Sequence, residues 1–257
     1  MCIPNHLCNR YAYHFTVIDN LSTILRHGLL ATNEKLHRRM PHTAIADQNI
    51  QKRRARTNVS CPPGGKVHDY VPFYFCTRSP MLWRVLENKW AEQRDIIYIV
   101  VHITIIEQVF CVFTDASANT NSPPNFYNKP GDLMKIDWDA VDTWRWASKY
   151  DRPGCVPVRQ AKQAELLVHK SVSSELFAKI VVRSEHERSQ VCQEYWRLGI
   201  TPPDIEVDSG DFYFSDLDET RAIHRSSDYY IDSDFASLIQ TYEEEIEHDL
   251  AASSGYR

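Results

Sequence analysis

A glutamate opens the apolar run Ala164-Glu165-Leu166-Leu167-Val168, and a carboxylate in such company is costly to bury unless it has partners or a task. One reading makes Glu165 a catalytic carboxylate; the other makes it a solvent-facing residue at a strand end. His14, in Tyr13-His14-Phe15-Thr16, poses the same choice, since an imidazole on a short aromatic strand can serve chemistry or bond a backbone carbonyl. Arg54 lies in the cluster Lys52-Arg53-Arg54-Ala55-Arg56, and such clusters are most often solvated faces. A fourth block, His68 to Met81 (HDYVPFYFCTRSPM), carries Asp, two Tyr and Pro in one aromatic run, so it looks built to line a site as well as fill a core.

A second kind of chemistry is written between residues 144 and 162. Trp144, Arg145, Trp146, Tyr150, Arg152, Arg159 and Lys162 interleave aromatic rings with cations, the combination that stacks unpaired bases while neutralising phosphates. Stacking of this kind is worth about 1–3 kcal/mol per base. The tryptophans can instead be core anchors, because Ile136, Trp138 and Val141 precede them.

The elements that position these residues follow from local pattern. A strand over 11–15 leads into a helix that Asp19 or Asn20 can cap, with Leu21, Ile24 and Leu25 on one face and Gly28 as its stop. Residues 31–67 form a long polar excursion with one or two short helices, and insertions of that length tend to be functional. Strands are expected at 70–75, 96–103, 109–113, 165–169 and 180–183, and helices at 80–88, near 173 and at 187–198. Closing strand material is expected at 205–207 and 212–214. Strands and helices without regular alternation indicate an α+β fold.

Several function classes drop out. Neither GxGxxG nor GxxxxGK[ST] occurs, so a nucleotide would need another scaffold. No run of about 18 apolar residues exists, so no membrane span or membrane partner is expected, and the N-terminus lacks a signal-peptide layout, which makes the cytoplasm the default compartment. Seven scattered cysteines without a CxxC pair read as reduced thiols, and no metal is expected.

Taken in order, Tyr13-His14-Phe15-Thr16, the following IDNL-xx-ILRHGLL, IQKRRAR, HDYVPFYFCTRSPM and QAELLV resemble the bacterial DarT toxins, NAD-dependent ADP-ribosyltransferases that modify DNA. The resemblance spans about residues 11–214 and implies an ADP-ribosyltransferase-like split mixed β-sandwich with peripheral helices, holding NAD in its cleft. It implies that His14 and Thr16 hold the NAD ribose and nicotinamide region, that Tyr74 and Met81 flank the nicotinamide, and that Arg54 and Glu165 are catalytic. The segment up to Lys162 then corresponds to a substrate-recognition loop for single-stranded DNA. The RRAR and SPM blocks look more like the thymidine-modifying branch than the guanosine-modifying one. A macrodomain antitoxin (DarG-like) is the implied partner. Residues 115–129 depart from the pattern.

Residue chemistry agrees with these assignments. Breaking a nicotinamide–ribose bond builds oxocarbenium character, as glycoside hydrolysis does, and a carboxylate near the ribose hydroxyls stabilises it. An arginine stays protonated, so Arg54 suits pyrophosphate binding or support of another base better than proton abstraction. An RNA- or protein-directed transferase, and a catalytically silent nucleic-acid-binding module, remain as alternatives at this level.

Net charge is −5, yet residues 215–257 hold eleven acidic residues against three arginines, or −8, which leaves residues 1–214 at +3. The chain therefore divides into a transferase domain over 1–214 and an acidic tail over 215–257, in which Phe235, Leu238, Ile239, Tyr242, Ile246 and Leu250 recur at helical spacing. A docked helix is one outcome. An acidic cover over a basic groove is the other, and deleting 215–257 then raises nucleic-acid affinity in a filter-binding or anisotropy titration. Unchanged affinity of a folded truncation contradicts the cover.

Overall fold

The computed structural model describes residues 2–118, 124–144, 146, 150–208 and 210–214. Arg145 and the acidic tail lie outside the described residues. The strands are β1 (Tyr11–Val17), β2 (Leu29–Leu30), β3 (Tyr70–Tyr74), β4 (Ile96–His102), β5 (Cys111–Thr114), β6 (Phe126–Tyr127), β7 (Glu165–His169), β8 (Ser171–Val172), β9 (Lys179–Val182) and β10 (Asp204–Val207). Eight of them form one sheet in the order β10-β9-β4-β1-β3-β7-β5-β6, while β2 and β8 pair separately. Only the β9–β10 ladder is parallel, so the sheet is mixed and the class is α+β, as expected.

The sheet is two halves joined at one point. β1 pairs with β4 along all seven residues, and β3 pairs with β7 along all five, but β1 and β3 share the single register pair Tyr13 and Tyr74. Pro72 in the middle of β3 supplies the reason. Its carbonyl accepts from His14 Nδ1 at 2.7 Å, so that edge faces β1, and the N–H that a ladder would need on the same edge does not exist in proline. The strands part there.

Helices flank this junction: α1 (Leu21–His27), α2 (Thr32–His37), α3 (Gln48–Arg56), α4 (Pro80–Glu87), α5 (Trp138–Asp142), α6 (Val158–Ala161) and α7 (Glu185–Arg197). α1 buries Leu21, Ile24 and Leu25 and stops at Gly28, whose φ of +79° suits glycine and whose absent Cβ would stand 2.8 Å from the Val172 carbonyl. α3 starts on Asp47, which accepts from the Asn49 and Ile50 amides at 2.7 and 3.0 Å. α4 starts on Ser79, which accepts from Leu82 at 3.1 Å, with Pro80 in the first turn. Ser-Pro in the RSPM motif is thus partly the grammar of a helix start.

Two sequence expectations need correction. Residues 212–214 are not a strand. They form a turn under the Asp208 carboxylate, and their aromatic rings are buried against the sheet. Tyr213 donates to the Ile96 carbonyl at 2.9 Å, Tyr98 donates to the Phe212 carbonyl at 3.0 Å, and the Gln93 amide grips the Phe214 backbone at both ends. Asn20 stands at the start of α1 but makes no capping bond, because its side chain is used elsewhere. Its amide bridges the Thr16 hydroxyl to the Thr43 carbonyl and accepts the Thr43 amide, fastening the loop after α2 to β1.

All seven cysteines are free thiols. No described helix is long and apolar enough to cross a membrane.

Candidate active site

The parting of β1 from β3 opens a cavity of about 460 Å³, within the ordinary range for small-molecule sites. His14, Thr16, Arg54, Tyr74 and Met81, five residues drawn from three separate sequence blocks, all line it. α3 forms one wall and places Arg54 inward, where it is only 6% exposed. The basic cluster is therefore a solvated face on three sides and a buried arginine on the fourth.

Arg54 meets Glu165. Its Nη1 donates to both carboxylate oxygens, at 2.9 and 2.8 Å, and its Nη2 has no hydrogen-bond partner among the described residues. Glu165 is fully buried, so its opening position on β7 does not make it a solvent-facing strand end. The Ala118 amide donates to its Oε1 at 3.4 Å, and its own amide donates to Thr114 Oγ1 at 3.1 Å. Thr114 in turn donates to the Ala116 carbonyl at 2.7 Å. Residues 114–118 thus cup the carboxylate on one side while Arg54 stands between it and the cavity.

His14 makes the backbone bond that one of its two readings expects, and it also lines the cavity. A carbonyl can only accept, so the bond to Pro72 fixes the proton on Nδ1 and leaves Nε2 as a lone-pair acceptor. Burial pushes its pKa down to about 4, against the lift from the Pro72 bond, and the Lys35 charge adds to the depression. The imidazole is neutral at pH 7. Thr16 receives the Asn20 amide at 3.1 Å, and the Tyr74 ring lies nearly parallel to Phe15.

Sequence reasoning did not single out several cavity residues. Lys35, Asp47, Gln51 and His68 also line it. His68 donates from Nε2 to Gln51 at 2.9 Å, and its pKa is lowered by burial and then by the Arg54 charge. Asp47 pairs with Arg84 at 2.9 Å. The Asp-x-x-Ile start of α3 was a readable cap signal for Asp47; nothing local marks Lys35.

The aromatic and basic segment divides into frame and surface. Trp146 is buried in the hydrophobic cluster that holds Val85, Tyr98 and Phe214, edge-on to the Phe214 ring, and Tyr150 is half-buried against that cluster. Lys162 is also buried and donates to the Val141 and Thr143 carbonyls at 2.9 and 2.7 Å, so both Trp146 and Lys162 hold the segment together and do not face a strand. Their apolar and carbonyl partners within the chain explain the departure from expectation. Trp144 is 64% exposed with the Arg78 guanidinium 3.5 Å from its ring centre, Arg152 is exposed beside Asp137, and Arg159 is half-buried.

Comparison with known proteins decides what this arrangement belongs to. A family model described as "DarT: ssDNA thymidine ADP-ribosyltransferase, DarT" matches residues 13–214. The chain belongs to the DarT family. It is an ADP-ribosyltransferase of DNA. Among its relatives, the DNA ADP-ribosyl transferase of Thermus sp. (strain 2.9) is 38% identical over 185 residues, covering 70% of this chain and 84% of the relative. The Escherichia coli O127:H6 enzyme of the same description is 30% identical over 203 residues, covering 77% and 90%. The Thermus sp. 2.9 DarT structure in complex with ADP-ribosylated ssDNA superposes with a TM-score of 0.72 at 32% identity, over 83% of this chain and 99% of that one. The same DarT in complex with NAD+ gives 0.69 at 31% identity, over 82% and 100%.

The neutral state of His14 in this DarT site has a measurable signature. Its folded pKa near 4 lies below the ordinary 6.5, so the unfolded chain binds the extra proton between those values. The stabilisation from His14 is complete above the unfolded value and is lost as pH falls towards 4, by at most about 3 kcal/mol. Denaturant unfolding at pH 7.5, 6 and 4.5 should show a smaller acid-side loss for His14→Gln than for the parent chain. Parallel curves contradict the assignment.

Proposed function

We propose that this chain moves ADP-ribose from NAD to thymidine in single-stranded DNA, with Glu165 and Arg54 at the reacting end of the cavity and His14, Thr16, Tyr74 and Met81 holding the dinucleotide. The single observation that carries the proposal is the buried Arg54–Glu165 pair set against a cavity lined by Arg54 itself, His14, Thr16, Tyr74 and Met81.

The cavity suits NAD on its own chemistry. Arg54 Nη2 lacks a partner, His14 Nε2 is an acceptor able to take a ribose hydroxyl, and the Tyr74 ring offers a face to a planar heterocycle. When the nicotinamide–ribose bond breaks, its electron pair leaves with nicotinamide and positive charge grows on the ribose carbon. Glu165 stabilises that charge electrostatically, at a depth where water does not screen it. Arg54 shields the carboxylate in the structure described here, so it swings aside or shares the carboxylate as the ribose enters. A ring nitrogen of the base then bonds to the ribose carbon and releases its proton, for which Glu165 is the acceptor; Arg54, already protonated, is not.

An unpaired base reaches the cavity because its pairing edge must be free for the reaction. Trp144, Tyr150, Arg152 and Arg159 are the strand contacts we assign, with Arg145 outside the described residues. Arg78 stacks on Trp144 from the turn between Tyr74 and Met81, so one turn serves both the dinucleotide and the strand. The family reading favours the transferase over a silent nucleic-acid-binding module. It also carries the biological role, a cytoplasmic toxin countered by a macrodomain antitoxin that removes the mark.

The test is labelled NAD with the folded protein and single-stranded oligonucleotides that contain or lack thymidine. Label appears on the thymidine-containing strand alone, and Glu165→Gln lowers the rate on the order of 10²–10³-fold. The variant melts at a lower temperature than the parent, the ion pair being broken, but still unfolds cooperatively above the assay temperature. Label on RNA, on protein or on thymidine-free DNA, or a near-normal rate for Glu165→Gln, defeats the proposal.

A further inference from the structure

Lys35, on α2, lines the same cavity, and its ammonium has neither a hydrogen bond nor an ion pair among the described residues. It is half-buried. Asp47, the one carboxylate lining the cavity, is already committed to Arg84 and to the start of α3, so it does not balance Lys35. His14, His42 and His68 also line the cavity, and after burial the Lys35 charge is among the causes that oppose their protonation, so these neighbours offer it no negative charge. A cation withdrawn from water without a counter-charge lowers the stability of the free protein, and burial does depress its own pKa. Such a group points to an anion that arrives from outside.

Two other cations line the cavity: Lys52, which stands exposed to solvent, and Arg54, whose Nη1 is held by Glu165. The two tasks open to an arginine here, binding a diphosphate and serving the carboxylate, are therefore divided between two residues. We propose that Lys35 is the diphosphate-binding residue of this site, the positive charge that receives the bridging phosphates of NAD while Arg54 serves the reacting end beside Glu165. The assignment rests on the cavity being the NAD site. It names a residue that neither motif nor composition marks.

The experiment compares the parent chain, Lys35→Met and Lys35→Arg, using ADP-ribose as the probe with the diphosphate, and adenosine and nicotinamide riboside as probes without it. Lys35→Met weakens ADP-ribose binding about tenfold or more and flattens its salt dependence, while Lys35→Arg retains most of both. Adenosine and nicotinamide riboside bind all three proteins alike. A merely structural lysine predicts a lower melting temperature for Lys35→Met without ligand; the ligand role predicts an equal or higher one, since an unbalanced charge has been removed. ADP-ribose binding by Lys35→Met equal to that of the parent overturns the Lys35 assignment and leaves the cavity reading intact. Failure of the parent chain to bind ADP-ribose overturns both.

Discussion

A carboxylate with no exposure to water sits at the junction of two half-sheets, and the bond from Arg54 makes that position tenable. An unpaired buried carboxylate costs several kcal/mol, and removing one partner of a buried ion pair costs about 3–5 kcal/mol. The surroundings follow from this constraint. Asp47 caps and anchors α3 so that Arg54 points inward, and Thr114 with the Ala118 amide holds the start of β7 from the other side. Pro72 keeps β1 and β3 apart above the pair, which turns a sheet interior into a cavity.

Charge in that cavity is arranged to await a ligand. His14 is held neutral, Asp47 is used up by Arg84, and the excess among the described residues is positive: Lys35 without a counter-ion there and the Nη2 end of Arg54 without a partner. Stability is given up for pre-organisation here, as functional sites commonly require. The face we assign to the DNA strand is built differently. Trp146 and Lys162 are buried and tied to the body, while Trp144 is exposed with the Arg78 guanidinium over its ring.

Features set by local pattern were legible in the sequence. The face of α1 made by Leu21, Ile24 and Leu25, its stop at Gly28, the aromatic β3 and the odd carboxylate at Glu165 all followed from periodicity and composition. Features set by tertiary packing were not. Arg54 sits in a run that reads as a solvated face, and its burial is decided by where α3 docks. Trp146 and Lys162 carry the residue types of a nucleic-acid surface, but carbonyls 19 and 21 residues away in the chain claim the lysine. Asn20 has the identity of a cap and spends its amide on Thr16 and Thr43. Residues 212–214 alternate like a strand, yet their hydrogen bonds run to the side chains of Gln93 and Tyr98.

The central claim is that Arg54 and Glu165 work as one unit, and a double-mutant cycle on single-turnover transfer to a thymidine-containing oligonucleotide tests it most directly. With Arg54→Met, Glu165→Gln and the double variant at saturating NAD, the account predicts that the double variant is no slower than the worse single one, a coupling of about 2 kcal/mol or more. Losses that multiply, leaving the double variant slower by the product of the two single effects, contradict it.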